Sequence, residues 1–548
     1  MIVHYSLPTI LVSNETKASG DGSQYSTYPR YYEYSYTVTP SFLQYLNRAC
    51  VLRCLGSYPR MSEPAEAKMD KGETTTETEE LTEKTTEPTG ISYVIYQGMG
   101  AAAVGVGGLA CSVTLGYTSP ALPSMRADPD FFITEEQESW VGAVMPACAL
   151  VGSVITGPLV DSLGRRTTLL HLTWPFALSW MMIATSSSVT GVVLGRMMGG
   201  LCVGMQAVAG SVFLPEIVEV ELRNIMTAIP AVFGNLGLML SFASGQYLTW
   251  RGLAWLGALM TLPVVLFLLP LPETPSHLTR KGRKESSLIA LRQLRRTTQH
   301  AEKEQQEITN SCSSSDSKAD ISVWETVQSP NLWPVSVGIG LMVAQQTTGI
   351  TAVVFFASSI LDSGEDGAGG SAASVLLGVV NFFGTFVGMI AMAKFKRRQM
   401  LSLSTTVIVA SLFILSLFFW VKDAGGSYSD IAKTLHLVPV VGLLAYIIGF
   451  SLGWGPIPWV FLGEGMPSRV RGKAVAMVVA VNWASAFLIT KTFGWCVSSL
   501  GAHTTFLGYA VATAVSATLL RRVMPETFLQ SAAQMNRLYQ EAAKIKQQ

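Results

Sequence analysis

Charge is what this sequence has least of. Only 14% of its 548 residues are charged, against 49% hydrophobic, where a soluble domain averages about 25% charged. So little charge cannot cover a water-exposed surface of this size, and lipid has to be the solvent for much of the chain. Lys and Arg number 38 and Asp and Glu 37, a formal charge of +1, so the global basic surplus that suits a nucleic-acid partner is missing and none is expected. The seven cysteines are scattered through tail, apolar stretches and loops, which makes neither a disulfide framework nor a zinc ligand set. Cys50 and Cys54 have no His or further Cys near them. His171, His277 and His503 stand apart, and no His, Cys or Ser set has partners at useful spacing, so an enzyme is not expected. Grouped carboxylates for sodium and a Gly-rich loop for ATP are also missing, so no metal or cofactor is implied.

Apolar runs are what the chain has in excess. A hydrocarbon core needs roughly 20 apolar residues per helical crossing. Windows of that kind recur near 97–122, 139–160, 168–188, 191–213, 225–248 and 253–271, and again near 332–361, 372–393, 401–421, 436–462, 474–497 and 503–523. The expected fold is all-α and membrane-spanning, with twelve transmembrane helices in two six-helix halves. The domain reading is a disordered tail at 1–90, a first half at 91–271, a linker with short helices at 272–331, a second half at 332–523 and a C-terminal tail at 524–548. The tail reading rests on Glu73 to Pro88, a Thr/Glu tract that cannot bury a core. Nothing near Met1 combines a basic start, a long apolar stretch and a small-residue cleavage site, so no cleaved signal peptide is expected.

The short loops fix an orientation. Arg165, Arg166, Arg223, the cluster Arg280 to Arg296, Lys394 to Arg398, Arg469, Arg471 and Lys473 fall in the even-numbered loops, while the odd ones hold little beyond Arg126, Arg251, Lys422 and Lys433. Positive charge stays inside, so both termini are expected in the cytoplasm. The sequon at Asn14 would then never meet the glycosylation machinery.

The two halves repeat each other. Arg223 follows Glu216 by seven positions and Arg471 follows Glu464 by seven; the sixth and twelfth spans end in Pro272-Glu273-Thr274 and Pro525-Glu526-Thr527. Two six-helix halves repeated in parallel form an arrangement in which substrate sits between the halves and access alternates by rocking. A carboxylate and a guanidinium at helix ends can bond bidentately while a mouth is shut and must part when it opens. A lone Arg at such an end only satisfies the positive-inside bias; duplicated acid-base spacing favours a gate lock.

These residues resemble a known family. Gly157 to Arg166 (GPLVDSLGRR), with Asp161, Arg165 and Arg166, is similar to the loop signature of the major facilitator superfamily. Gly195-Arg196, Pro215-Glu216 to Arg223, Pro272 to Ser276 (PETPS), Gln345 to Gly349 (QQTTG), Gly455 to Trp459 (GPIPW) with Glu464 and Arg471, and Pro525 to Thr527 resemble, in order, the sugar porter family over roughly 93–530. Within it, Leu115 to Pro123 (LGYTSPALP) and Pro230 to Gly237 (PAVFGNLG) look most like insect facilitated trehalose transporters.

The resemblance implies a sugar substrate and a lipid bilayer as partners, and facilitative uniport of trehalose or glucose by alternating access. A sugar presents hydroxyls and nearly apolar ring faces, so its site wants amides beside an aromatic plane. Gln345, Gln346, Asn381, Trp459, Asn482 and Trp483 match the family's sugar contacts, and Thr351 stands where the family has Asn. The implied gating set is Asp161, Arg165, Arg166, Arg196, Glu216, Arg223, Glu273, Glu464, Arg471 and Glu526. Buried amides also serve as glue between membrane helices, and a membrane Trp as an interface anchor. Some positions depart from the family: Ala231 stands where helix five often has Gln, Phe355-Phe356 lack hydroxyls, no acid precedes Lys396-Arg397-Arg398, and His277 stands near the usual Arg. Proton-coupled members carry Asp after Gly-Tyr in helix one, where this chain has Thr118, and a span without a titratable group cannot carry a proton. Two other functions remain open: a non-transporting sugar sensor using the tail, and a carrier of another polyol or small solute. The membrane expected is the plasma membrane.

Overall fold

The computed structural model describes residues 92–526 except 220–221, 224–225, 228, 314–330, 358–359, 361–367, 425–434, 436 and 467–470. The tail reading at 1–90, the sequon and Cys50 and Cys54 lie outside the described residues, as do the side chains of Glu464 and Arg471. Among the described residues the regular structure is helical. The first half holds α1 (Ser92–Gly116), α2 (Thr118–Arg126), α3 (Glu135–Leu163), α4 (Arg165–Thr185), α5 (Val189–Ile217), α6 (Ile229–Ser244), α7 (Trp250–Thr261) and α8 (Pro263–Leu268). Three short helices follow, α9 (Pro275–Arg280), α10 (Lys284–Leu294) and α11 (Thr298–Ser313). The second half holds α12 (Leu332–Thr347), α13 (Ile350–Phe355), α14 (Ala368–Lys394), α15 (Arg397–Asp423), α16 (Val438–Leu452), α17 (Pro456–Glu464), α18 (Arg471–Leu500) and α19 (Ala502–Val523).

Among the described residues eight helical segments are long and apolar enough to cross a membrane, with a shorter apolar one at Ile229–Ser244. Their outward faces carry Leu266, Phe383 and Trp495, each more than 60% exposed, which in water would be an aggregation surface and in lipid is the solvated one. The chain is a multi-pass membrane protein.

Local chemistry sets the helix ends and breaks. α3 opens on a capping box: Gln137 N donates to Thr134 Oγ1 and Thr134 N to Gln137 Oε1, with Glu135, Glu136 and Glu138 in the positive first turn. α3 and α5 approach backbone to backbone: a Cβ on Gly152 would lie 2.2 Å from the Leu201 carbonyl oxygen, and one on Gly204 2.0 Å from that of Ala149. In lipid, where apolar burial gives little drive, such small-residue contacts hold helices together. The break between α12 and α13 falls at Gly349, with φ +85°, a conformation only glycine adopts without strain. The break between α16 and α17 falls where Pro456 and Pro458 cannot continue the backbone ladder.

The short helices dock on the basic end of the first half. Gln97 Nε2 of α1 donates to the Leu294 carbonyl at 2.7 Å, and Arg295 Nη1 donates to the Ile217 carbonyl at 2.8 Å. At the opposite end the two halves meet. Gly142 of α3 faces Phe356 and Thr490, and Lys491 of α18 lies 4.1 Å from the Trp140 ring centroid and donates to Ser139 Oγ at 3.3 Å.

Candidate substrate site

The site grows out of the broken helices. Breaking α16 from α17 frees carbonyls that need donors, and Gln345 Nε2 supplies them, donating to the Trp454 carbonyl at 2.7 Å and the Gly455 carbonyl at 3.0 Å. From the other side Ser404 Oγ accepts from Trp454 N at 3.1 Å, and Thr405 Oγ1 from Trp454 Nε1 at 2.9 Å. Tyr446 OH donates to the Thr348 carbonyl at 3.1 Å, tying α16 to the α12–α13 break. The Gln345 amide N–H groups are thus engaged by the carbonyls of the α16–α17 break in the structure, and the resemblance groups the residue with the sugar contacts.

Its neighbour Gln346 faces side chains. Gln346 Nε2 donates to Asn482 Oδ1 at 2.9 Å, and Thr351 Oγ1 donates to Gln346 Oε1. Trp483, next to Asn482, is 7% exposed and its indole N–H has no acceptor among the described residues. Asn381 of α14 forms a second group: its Nδ2 donates to Asn235 Oδ1 at 2.7 Å and its Oδ1 accepts from Ser451 Oγ at 3.0 Å. Trp459 is 39% exposed, an aromatic plane left uncovered beside the hinge. The seven predicted positions thus fall into a Gln346–Thr351–Asn482 group, an Asn381 group, a hinge pin and two indoles. Asn235 and Ser451 were not among the predicted residues. A lone amide in an apolar helix, costly without a partner, is the signal that marks Asn235.

The helix-end charges arrange themselves within each half. Glu273 accepts from the backbone N–H groups of Arg165 at 2.8 Å, Arg166 at 3.0 Å and Thr167 at 3.0 Å, at the start of α4. Glu526 repeats this at α15, accepting from Arg397 N at 3.0 Å and Arg398 N at 3.3 Å. A carboxylate there satisfies orphan donors and the positive helix end together. Arg166 Nη2 donates to the Leu269 carbonyl at 2.8 Å, and Arg398 Nε to that of Met524 at 2.7 Å. The acid of each duplicated Pro-Glu-Thr thus bonds the end of the last helix of its half to the start of the third. Arg165 pairs with Glu216 at 3.3 Å and with Asp161 at 3.7 Å, both in its own half. Arg223 is buried at its Nε without an acceptor there, and burial beside Arg295 pulls its pKa below the usual guanidinium value. Arg196 is fully buried and donates to the Thr114 carbonyl at 2.7 Å, to Thr118 Oγ1 at 2.8 Å and to the Val141 carbonyl at 3.2 Å. It locks α5 to α1, α2 and α3.

His277 lies where the resemblance has Arg. Arg165 Nη1 lies 3.0 Å from His277 Nδ1, so a neutral ring accepts from the guanidinium. Burial first, and the Arg165 charge second, hold the imidazole below its ordinary 6.5, against weaker pulls upward from Glu273 and Asp161. The native state therefore binds fewer protons than the unfolded chain below pH 6.5, and stability, level above it, falls as the pH drops through it. The melting temperature of detergent-solubilised protein should decline between about pH 7 and 5.5, less steeply in His277→Gln.

Apolar spanning helices, breaks at Gly349 and at Gly455 to Pro458, and amides at the join define a membrane protein of the major facilitator fold. A solved structure of the proton:xylose symporter XylE bound to 6-bromo-6-deoxy-D-glucose is similar with a TM-score of 0.68 at 20% identity, covering 81% of this chain and 99% of that one. A partially occluded inward-open XylE from E. coli gives 0.65 at 19%, covering 79% and 100%. Residues 67–539 match the family model described as Sugar (and other) transporter, and the chain belongs to that family. It is 34% identical over 451 residues to the facilitated trehalose transporter Tret1 of Polypedilum vanderplanki, covering 82% of this chain and 88% of the relative. It is 34% identical over 438 residues to Tret1 of Anopheles gambiae, covering 79% of this chain and 55% of the relative. The chain spans about half the length of several of the curated relatives it matches. The family is one of transporters and not of enzymes.

Proposed function

We propose that this chain is a facilitative uniporter of trehalose or glucose in the plasma membrane, with both termini cytoplasmic, working by alternating access between the halves 91–271 and 332–523. The observation that carries the reading is the amide and indole set at the helix breaks: Gln346 bonded to Asn482 and Thr351, the unaccepted indole N–H of Trp483 and the uncovered ring of Trp459. Amides donate and accept at once and an indole covers a ring face, which is what a sugar asks of a site. The names of the relatives support the same substrate class. Uniport is supported by Thr118, which offers Arg196 a hydroxyl that does not titrate. Uptake of labelled trehalose and glucose by expressing cells, at two external pH values, tests the reading. Saturable uptake that ignores pH and falls at least threefold in an equally expressed Trp459→Ala variant is expected. No uptake from well-expressed protein would transfer the weight to a sensor or to another solute.

In this orientation the Lys491–Trp140 contact closes the outer rim. A cation over an indole is worth about 0.5–1 kcal/mol, so Lys491→Met should shift the balance toward the outward-open form roughly two- to fivefold. A Thr490→Cys reporter should then react correspondingly faster with a membrane-impermeant thiol reagent than it does with Lys491 in place. Equal rates would mean that the contact does not bias the gate.

A further inference from the structure

Helix α6 has a methyl at Ala231 and carries its one amide elsewhere. Asn235 lies four positions on, on the same face of the helix, and its Nδ2 reaches back to the Ala231 carbonyl at 3.2 Å. The same Nδ2 donates to Thr385 Oγ1 at 2.6 Å, and Asn235 Oδ1 accepts from Asn381 Nδ2 at 2.7 Å. Asn381 in turn accepts from Ser451 Oγ at 3.0 Å. Residues of α6, α14 and α16 are thereby joined across the interface between the halves.

Such a cluster has a plain use, since an amide in an apolar helix commonly glues helices. Its position argues for more. The halves must move against one another in every cycle, so a bond across their interface has to be broken and remade. If it were only glue, it would add to the barrier each time. An amide pair that sugar hydroxyls replace bond for bond removes that cost, because each carboxamide offers two donors and two lone pairs. Standing four residues past Ala231, the polar group also lies about 6 Å further along the helix axis, toward the end where the halves touch. Gln346 and Asn482 both belong to the second half, and Asn235 offers a polar group from the first, a contact that a second sugar ring would use.

We propose that Asn235, paired with Asn381, is a sugar-contacting residue that lengthens the site on its first-half side, selecting a disaccharide over a hexose. The inference rests on the sugar-carrier reading above. Binding of trehalose and of glucose to purified protein tests it, in wild type, Asn235→Ala, Thr385→Ala and the double variant Ala231→Gln/Asn235→Ala. Asn235→Ala should weaken trehalose about tenfold, the loss of one well-made hydrogen bond set, and glucose by less than about twofold. Moving the amide to 231 should restore or improve glucose binding without restoring trehalose. Thr385→Ala removes a helix-to-helix bond of Asn235 but leaves the Asn235–Asn381 pair, so it should bind both sugars as wild type does. Equal weakening by Asn235→Ala and Thr385→Ala, or equal loss for the two sugars, would reduce the cluster to glue and overturn the inference. Unchanged trehalose binding in Asn235→Ala overturns it alone. A wild type that binds neither sugar overturns it together with the reading beneath it.

Discussion

Arg196→Ala is expected to cost the protein its folded state, with the loss of transport as a consequence. The guanidinium is fully buried and bonds the Thr114 and Val141 carbonyls and the Thr118 hydroxyl, with the Tyr117 ring centroid 5.7 Å away. Each buried acceptor left unpaired costs about 1–3 kcal/mol, so truncation should remove roughly 3 kcal/mol or more. That is a large share of the margin on which folded proteins exist. Arg196→Lys should fall between, because an ammonium on a flexible stem cannot reach three acceptors on three helices at once as a planar fork does. Yield of monodisperse protein and melting temperature check this. A variant that purified and melted like wild type while transport vanished would show instead that Arg196 faces the substrate path.

Thr118, which accepts from this arginine, shows how far a sequence reaches. That the span has no acid after Gly116-Tyr117 is legible in one line of residues, and so are the apolar runs, because a membrane crossing needs an uninterrupted stretch and the chain has few charges to hide. The break at Gly455 to Pro458 is legible in its own Gly and Pro, whereas the one at Gly349 falls inside the apolar window 332–361 and shows only in the structure. What the helix-end acids do is not legible either. The spacing of Glu273 and Glu526 announces a duplicated charge, but a spacing says nothing of the partner. The partner is the N-terminus of a helix 106 to 108 residues away in the first half and 128 to 129 in the second. Asn235 escaped for the same reason: Asn381 is 146 residues distant, and no local pattern joins them.

The adjacent glutamines divide the mechanism between them, and Gln346→Leu should be the more telling change. Gln345 spends its amide on the Trp454 and Gly455 carbonyls, so Gln345→Leu should loosen the hinge, lowering melting temperature and maximal uptake with little change in apparent affinity. Gln346 spends its amide on Asn482 and Thr351, two side chains whose own polar groups suit a sugar hydroxyl. Leucine leaves both without this partner and offers the sugar nothing, a loss of about 3 kcal/mol if each partner costs about 1.5, which is roughly a hundredfold in uptake at low substrate. The change should fall mainly on the apparent KM, since the hinge bonds stay intact. Kinetics of labelled uptake at matched surface expression separate the two variants. If both lowered maximal uptake alone, Gln346 would join its neighbour as part of the hinge, and the amide group at Asn482 would lose its claim to the sugar.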